Sequence, residues 1–193
     1  MLVHSGDLGI EAACKAASSA ELDEMERLGV IDQAGRARNC ISLAEREIVQ
    51  RSAIAAPDVL NEAYCYARPS SFSRGLRVNL GSVDLLLISG TASIDEEGVS
   101  VHTGDFRAQL WRTYRNITSL LESEGATWRD IVRTSCYLRD IERDYKDFNE
   151  IRTTFFTWLG LDPLPASTGI QARLCREELL VEIEAMAALP KGR

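Results

Sequence analysis

The chain is poor in the residues that build metal and redox centres. Its 193 residues include two histidines, His4 and His102, far apart in sequence, which disfavours a zinc, iron or copper site. The five cysteines, Cys14, Cys40, Cys65, Cys136 and Cys175, are odd in number and never spaced Cys-x-x-Cys. That usage fits reduced thiols in a cytosol better than a disulfide frame or a zinc site. No Gly-x-Gly-x-x-Gly or Walker-type Gly-Lys-Ser/Thr stretch occurs, so a nucleotide has no visible home and no cofactor is expected. Lysine and arginine form no run and the net charge is −7, which argues against a nucleic-acid footprint and an anionic membrane surface. No apolar stretch nears the roughly 20 residues of a membrane span, and acids are scattered through residues 1–30, unlike a signal peptide. The expectation is a cytoplasmic protein with neither a nucleic-acid nor a membrane partner.

What is present is a globular composition, 45% hydrophobic and 26% charged, long enough for one domain with an appendage. Residues 1–71 read as a helical N-terminal extension. Ser18-x-x-Glu21 and Ser42-x-x-Glu45 are capping-box patterns. The first opens a helix that should stop at Gly29; the second opens "LAEREIVQRSAIAA", which Pro57 should end. From Phe72 the period changes. "GLRVNLG" and "DLLLISG" read as strands, and Phe106, Leu110, Tyr114, Ile117 and Leu121 fall at helical spacing with Gly125 at the stop. "DIVRTSCYLRD" reads as a strand and "DYKDFNEIRTTFFTWLG" as a helix, with Tyr145, Phe148, Phe155 and Leu159 near one stripe. "STGIQARL" and "LLVEIEAM" are the last two strands. The order over 72–193 is β-β-α-β-α-β-β, an α+β domain whose two helices can cover only one face of a mixed sheet. The other face needs a cover, and a second copy of the chain is the economical one.

The last strand raises the functional question. In "LLVEIEAMAAL", residues 179–189, Glu182 and Glu184 stand two apart and therefore point to one face. Read simply, Val181, Ile183 and Ala185 go inward and both acids go to water. Read for function, the acids' face is covered by another subunit and one carboxylate is kept for chemistry.

The element order, with "ISGTASID" closing the second strand, "EGATWRDIVRTSCYLRDIERDYKDFNEI" in the middle and "LLVEIEAMA" at the end, resembles the Rid (YjgF, L-PSP) family over residues 72–189. The resemblance implies a chorismate-mutase-like fold, a homotrimeric barrel with ligand clefts between subunits, and hydrolysis of reactive imines and enamines to a keto acid and ammonia. It also implies an Arg in a Pro-Ala-Arg-Ser stretch, holding the substrate carboxylate by a bidentate fork. Here that stretch reads Leu164-Pro165-Ala166-Ser167-Thr168-Gly169, and the Arg is missing. The family's Tyr-Ser pair matches Phe72-Ser73, its Ser matches Ser89, and its Glu matches Glu182. "PASTGI" followed by "LCREELLVEIEA" is also similar to the catalytic half of chorismatases, which protonate an enol ether.

Glu182 and Ser89 are thus the catalytic candidates implied by the resemblance. Candidate ligand-binding residues are Phe72, Arg74, Gly90, Thr168, Arg173, Cys175 and Glu184. Partial burial at a cleft would raise the Glu182 pKa to where it can donate and accept protons. Cys175, without a nearby His, reads as an idle thiol unless its neighbours Arg173 and Arg176 act, either as thiolate partners or as anion clamps. Arg74 is a candidate carboxylate holder. The expected function is an enzyme acting on a carboxylated imine, enamine or enol ether, with slow turnover of 2-iminopropionate because the family Arg is missing. The alternative is a non-catalytic trimer that binds a small metabolite.

Overall fold

The computed structural model of the chain describes residues 17–34, 49–67 and 69–191. The chain divides into two compact units, residues 1–49 and 50–193. In the first, helix α1 spans Ser19–Arg27. The capping box read from the sequence forms: the Ser18 hydroxyl accepts from the Glu21 N–H, and the Glu21 carboxylate accepts from the Ser18 N–H at 2.6 Å. Gly29, at φ 73°, takes the left-handed turn that ends the helix. The second capping box, Ser42 and Glu45, lies outside the described residues.

The helix expected from that box does not extend over 51–56. Arg51–Ala53 form strand β1 instead, antiparallel to β2 (Gly75–Asn79), with Arg51 opposite Val78 and Ala53 opposite Leu76. The reason is tertiary. Ile54 is buried, donates its N–H to the Gly75 carbonyl at 2.9 Å, and packs against the space left by the missing Gly75 side chain. A paired sheet edge with a buried anchor outweighs a local helical preference of a few tenths of a kcal/mol per residue.

The remaining order follows the sequence reading: β3 (Val83–Ala92), α2 (Phe106–Glu122), β4 (Ile131–Leu138), α3 (Ile141–Trp158), β5 (Ala166–Gln171) and β6 (Val181–Pro190). The six strands form one sheet in the order β1-β2-β3-β6-β4-β5. All neighbours are antiparallel except β4 and β5, which run parallel. Asp105 and Asp140 cap α2 and α3, each accepting a backbone N–H three residues on at 3.0 Å.

Both long helices lie on one face. Leu86 and Ile88 of β3, Val181, Ile183, Ala185 and Ala187 of β6, and Cys136 and Leu138 of β4 are buried there with Leu110, Tyr114, Ile117, Leu121 and Phe148. Each fully buried Leu, Ile or Phe contributes about 1.5–3 kcal/mol. One stripe differs from expectation: Tyr145 is 47% exposed, and Ile151 and Phe156 take the core side of α3. On the other face Leu76, Val78, Leu85, Leu87, Met186 and Ala188 are only half-buried.

Two buried amides tie the helix layer to the ends of β3 and β6. Asn116 donates to the carbonyls of Ala92 and Ile94, both at 3.0 Å. Gln109 donates to the Glu178 carbonyl and accepts from the Leu180 N–H, both at 2.8 Å. Beside those ends lies a concavity.

Candidate functional site

A bulge in β3 builds the floor of this concavity. Ile88 pairs with Ala185 and Thr91 with Ile183, so β3 has one extra residue at Ser89-Gly90. Bulges re-aim side chains and interrupt a ladder locally. Freed from β6, Ser89 donates its N–H to the Arg74 carbonyl and its hydroxyl to the Ser73 carbonyl at 2.8 Å. Gly90 leaves room for a neighbour: the Glu182 carboxylate lies where a Gly90 side chain would stand.

The cavity measures about 370 Å³ and is lined by Ala63, Tyr66, Ser70, Phe72, Arg74, Ser89, Gly90, Ala92, Ile94, Cys175, Arg176, Leu179, Glu182 and Glu184. It thus gathers Phe72, Arg74, Ser89, Gly90, Cys175, Glu182 and Glu184 from the sequence candidates. Thr168 and Arg173 are exposed and do not line it; Thr168 accepts from Arg133 at 3.2 Å across β4 and β5. Tyr66, Ala63 and Ser70 were missed. They come from the segment before β2, where no period or motif marks them. Arg176, weighed as a thiolate partner of Cys175 or an anion clamp, does line the cavity; its guanidinium donates to the Gly98 carbonyl.

The two acids of β6 have different surroundings. Glu182 is half-buried and makes no hydrogen bond or ion pair among the described residues. Burial pushes its pKa above the ordinary 4.5, the Glu184 charge adds to the rise, and the Arg74 charge opposes it. Glu184 is exposed and accepts from the Tyr137 hydroxyl at 3.0 Å. That bond to Glu184 is the main reason the Tyr137 pKa is raised.

Arg74 is 3% exposed. Its Nε donates to the Asn61 carbonyl at 2.9 Å, and its guanidinium lies over the rings of Tyr66 and Phe72, 4.9 and 5.2 Å from their centroids. Burial pulls its pKa down, with Tyr66 and Glu62 opposing. An arginine nonetheless stays protonated at neutral pH. The cavity therefore holds both a half-buried carboxyl with a raised pKa and a buried cation. Among the described residues, no group of three His, Cys, Asp or Glu side chains is placed to hold a metal ion. Nor is any described helix long and apolar enough to cross a membrane.

Comparison with known proteins agrees with the topology. The chain is 28% identical over 116 residues to a RutC family protein of Pyrococcus abyssi, covering 60% of this chain and 84% of that one. A RutC family protein of Aquifex aeolicus is 28% identical over 115 residues, covering 60% and 87%. Among solved structures, the YjgF gene product of E. coli superposes with a TM-score of 0.57 at 24% identity, over 70% of this chain and 97% of that one. E. coli TdcF with bound serine gives 0.58 at 20% identity, over 70% and 97%. At such identity these two structures establish the fold. The family model described as Endoribonuclease L-PSP matches residues 67–189, and on that match the chain belongs to the Rid/YjgF (L-PSP) family.

Proposed function

We propose that this protein is a small-molecule enzyme acting on a carboxylated imine, enamine or enol ether, with Glu182 transferring the proton. The observation that carries this reading is Glu182 itself. It is a half-buried carboxyl with a raised pKa, seated against a glycine in a cavity of about 370 Å³. A carboxyl so placed can protonate an enamine or enol-ether carbon, leaving a cationic carbon that water attacks, and then recover its proton. Perturbed carboxyls in clefts are enriched at reacting centres. TdcF, of the same fold, holds serine, a carboxylate-bearing molecule of similar size.

Ser89 serves better as a positioned hydroxyl than as a nucleophile, because its proton is already given to the Ser73 carbonyl. Cys175 is exposed, and among the described residues no histidine lines the cavity beside it. RNA is not the substrate we infer: among the described residues no histidine lines the cavity, and the chain carries a net charge of −7.

The half-buried apolar face of the sheet supports assembly with copies of the same chain, and a homotrimer with the clefts at its interfaces is the reading we adopt. Thr168 and Arg173, exposed in one copy, are then positions that a neighbour can bring to the cleft.

The test is to generate imines and enamines in situ from amino acids and follow keto acid and ammonia release with and without the protein. Acceleration that Glu182→Gln abolishes supports the enzyme. Saturable ligand binding with no acceleration of any such substrate would instead support the non-catalytic trimer, a reading favoured by the missing family Arg, by Phe72 in place of the family Tyr and by the committed Ser89 hydroxyl.

A further inference from the structure

At one end of the cavity Nη2 of Arg74 and the hydroxyl of Tyr66 have no hydrogen-bond partner of ordinary length among the described residues, though the two side chains lie close enough to interact with each other. Arg74 is 3% exposed and Tyr66 9%. Buried polar groups are nearly always hydrogen-bonded, because leaving one unsatisfied forfeits its hydration without replacement. The obvious internal acceptor does not meet them. Glu62, buried beside Arg74, accepts from the Arg74 backbone N–H at 3.4 Å rather than from the guanidinium. Arg176, the other arginine of the cavity, already donates to Gly98 and Ser100.

The pair is also held rigidly. The Tyr66 ring lies beneath the Arg74 guanidinium on one side and against Gly98 on the other. A Cβ on Gly98 would stand 2.5–2.6 Å from three ring atoms, and its φ of +80° suits glycine. Phe72 covers the guanidinium from another direction. Burial raises the Tyr66 pKa, Arg74 opposing, so the hydroxyl stays a proton donor.

We propose that Tyr66 and Arg74 form the anion-binding end of this cavity, where they hold the carboxylate of a small ligand whose reactive end faces Glu182. The fixed guanidinium offers donors only, and the Tyr66 hydroxyl, which accepts as well as donates, still has its proton to give, so an acceptor is the ligand group that suits both. Charge favours an anion, and a planar carboxylate with two oxygens can meet both groups. Phe72 stands where the Tyr of the family's Tyr-Ser pair is found and has no hydroxyl; Tyr66 supplies one from the preceding segment. The carboxylate is thus held from the segment before β2, while Ala166, where the family Arg is missing, sits on β5 outside the cavity lining. The inference rests on reading the cavity as the ligand site, and it does not require Glu182 to transfer a proton.

The test is binding, not turnover. The full chain is titrated calorimetrically with pyruvate and with its neutral analogue pyruvamide. Pyruvate is expected to bind saturably at millimolar concentration and pyruvamide to bind far more weakly. Tyr66→Phe, which keeps the ring and its stack, should weaken pyruvate about 3- to 10-fold, and Arg74→Gln about 10- to 100-fold. Glu182→Gln should bind pyruvate as well as the parent or better, since it removes a like charge. If Arg74→Gln fails to fold, Tyr66→Phe and the pyruvamide comparison decide the matter. The proposal is overturned if pyruvate does not bind, if pyruvamide binds equally, or if pyruvate affinity is unchanged in Tyr66→Phe. Loss of affinity in Arg133→Gln instead would move the anion to the second concavity, which Arg133 lines. A Glu182 variant with undiminished turnover would defeat the enzymatic reading and leave this one standing.

Discussion

The carboxylate of Glu182 occupies the space that a side chain on Gly90 would need: a Cβ there would stand 2.1 Å from Oε1 and 2.9 Å from Cδ. The β3 bulge and the missing side chain together admit the acid to the cleft. Gly90→Ala is therefore expected to expel the carboxylate without unfolding the sheet, because the residue lies outside the left-handed region and the carboxylate is the end of a flexible side chain. Turnover should fall by about the 10²–10⁴-fold associated with a positioned acid or base. Steady-state kinetics beside thermal melting would check this. Full activity in Gly90→Ala would mean that the observed rotamer of Glu182 is unimportant.

The Glu182 pKa also sets a pH signature. A raised carboxyl binds its proton more tightly in the folded state than in the unfolded one. Its contribution is therefore intact below the unfolded value near 4.5 and is lost as pH rises through the folded value. Glu182→Gln removes that loss. The variant should melt no lower than the parent at pH 7, and the two should converge towards pH 4. Turnover that needs the protonated acid should fall as pH rises through the same raised value, and the variant should lose that limb. A variant that melts well below the parent at neutral pH would mark Glu182 as a structural residue.

Glu184 acts on Glu182 through charge. Its carboxylate is the second cause of the raised Glu182 pKa, after burial. Glu184→Gln should therefore move that falling limb of the pH–rate profile to lower pH while costing far less turnover than Glu182→Gln. If Glu184→Gln is the crippling change, the roles of the two acids are reversed.

These effects show which parts of the molecule are local enough to be written in the chain. The alternation in β2 and β6, the apolar run of β3 and the stripe Phe106, Leu110, Tyr114, Ile117 and Leu121 placed the strands and α2, because each side chain's burial follows from its neighbours on the same element. The acid pair was legible for a similar reason, since two acids on one strand face raise a question by themselves, but the choice of Glu182 came from the family resemblance. β1 was hidden because its partner lies 25 residues on and its anchor, Ile54, fits a gap at Gly75 that no local pattern displays. Tyr66 was hidden for the same reason. Its place depends on Gly98, Arg74 and Phe72, which meet only when the segment folds over the sheet end. Tyr145 was misplaced because an aromatic at helical spacing can stand one step off the core, and α3 buries Ile151 and Phe156 instead.

The open face of the sheet gives the last prediction. The helices cover one face, where Leu86, Ile183 and Ala187 are almost wholly buried. On the other, Leu76 and Leu87 face each other across β2 and β3, and Leu87 is paired with Met186 of β6. All three are only half-buried in the single chain. Contiguous apolar surface of this kind marks an interface, and closed symmetry is the usual way for identical chains to bury it. Light scattering of the full chain should give a trimer at micromolar concentration. Leu87→Lys would place a charge in the middle of that surface, and it should shift the mass towards monomer while far-ultraviolet circular dichroism stays native, since the side chain points away from the helix-packed core. If the cleft is completed by a neighbouring copy, turnover should fall with the trimer. A parent chain that stays monomeric, or a Leu87→Lys variant that remains trimeric, would move the interface elsewhere and leave the cleft to a single chain.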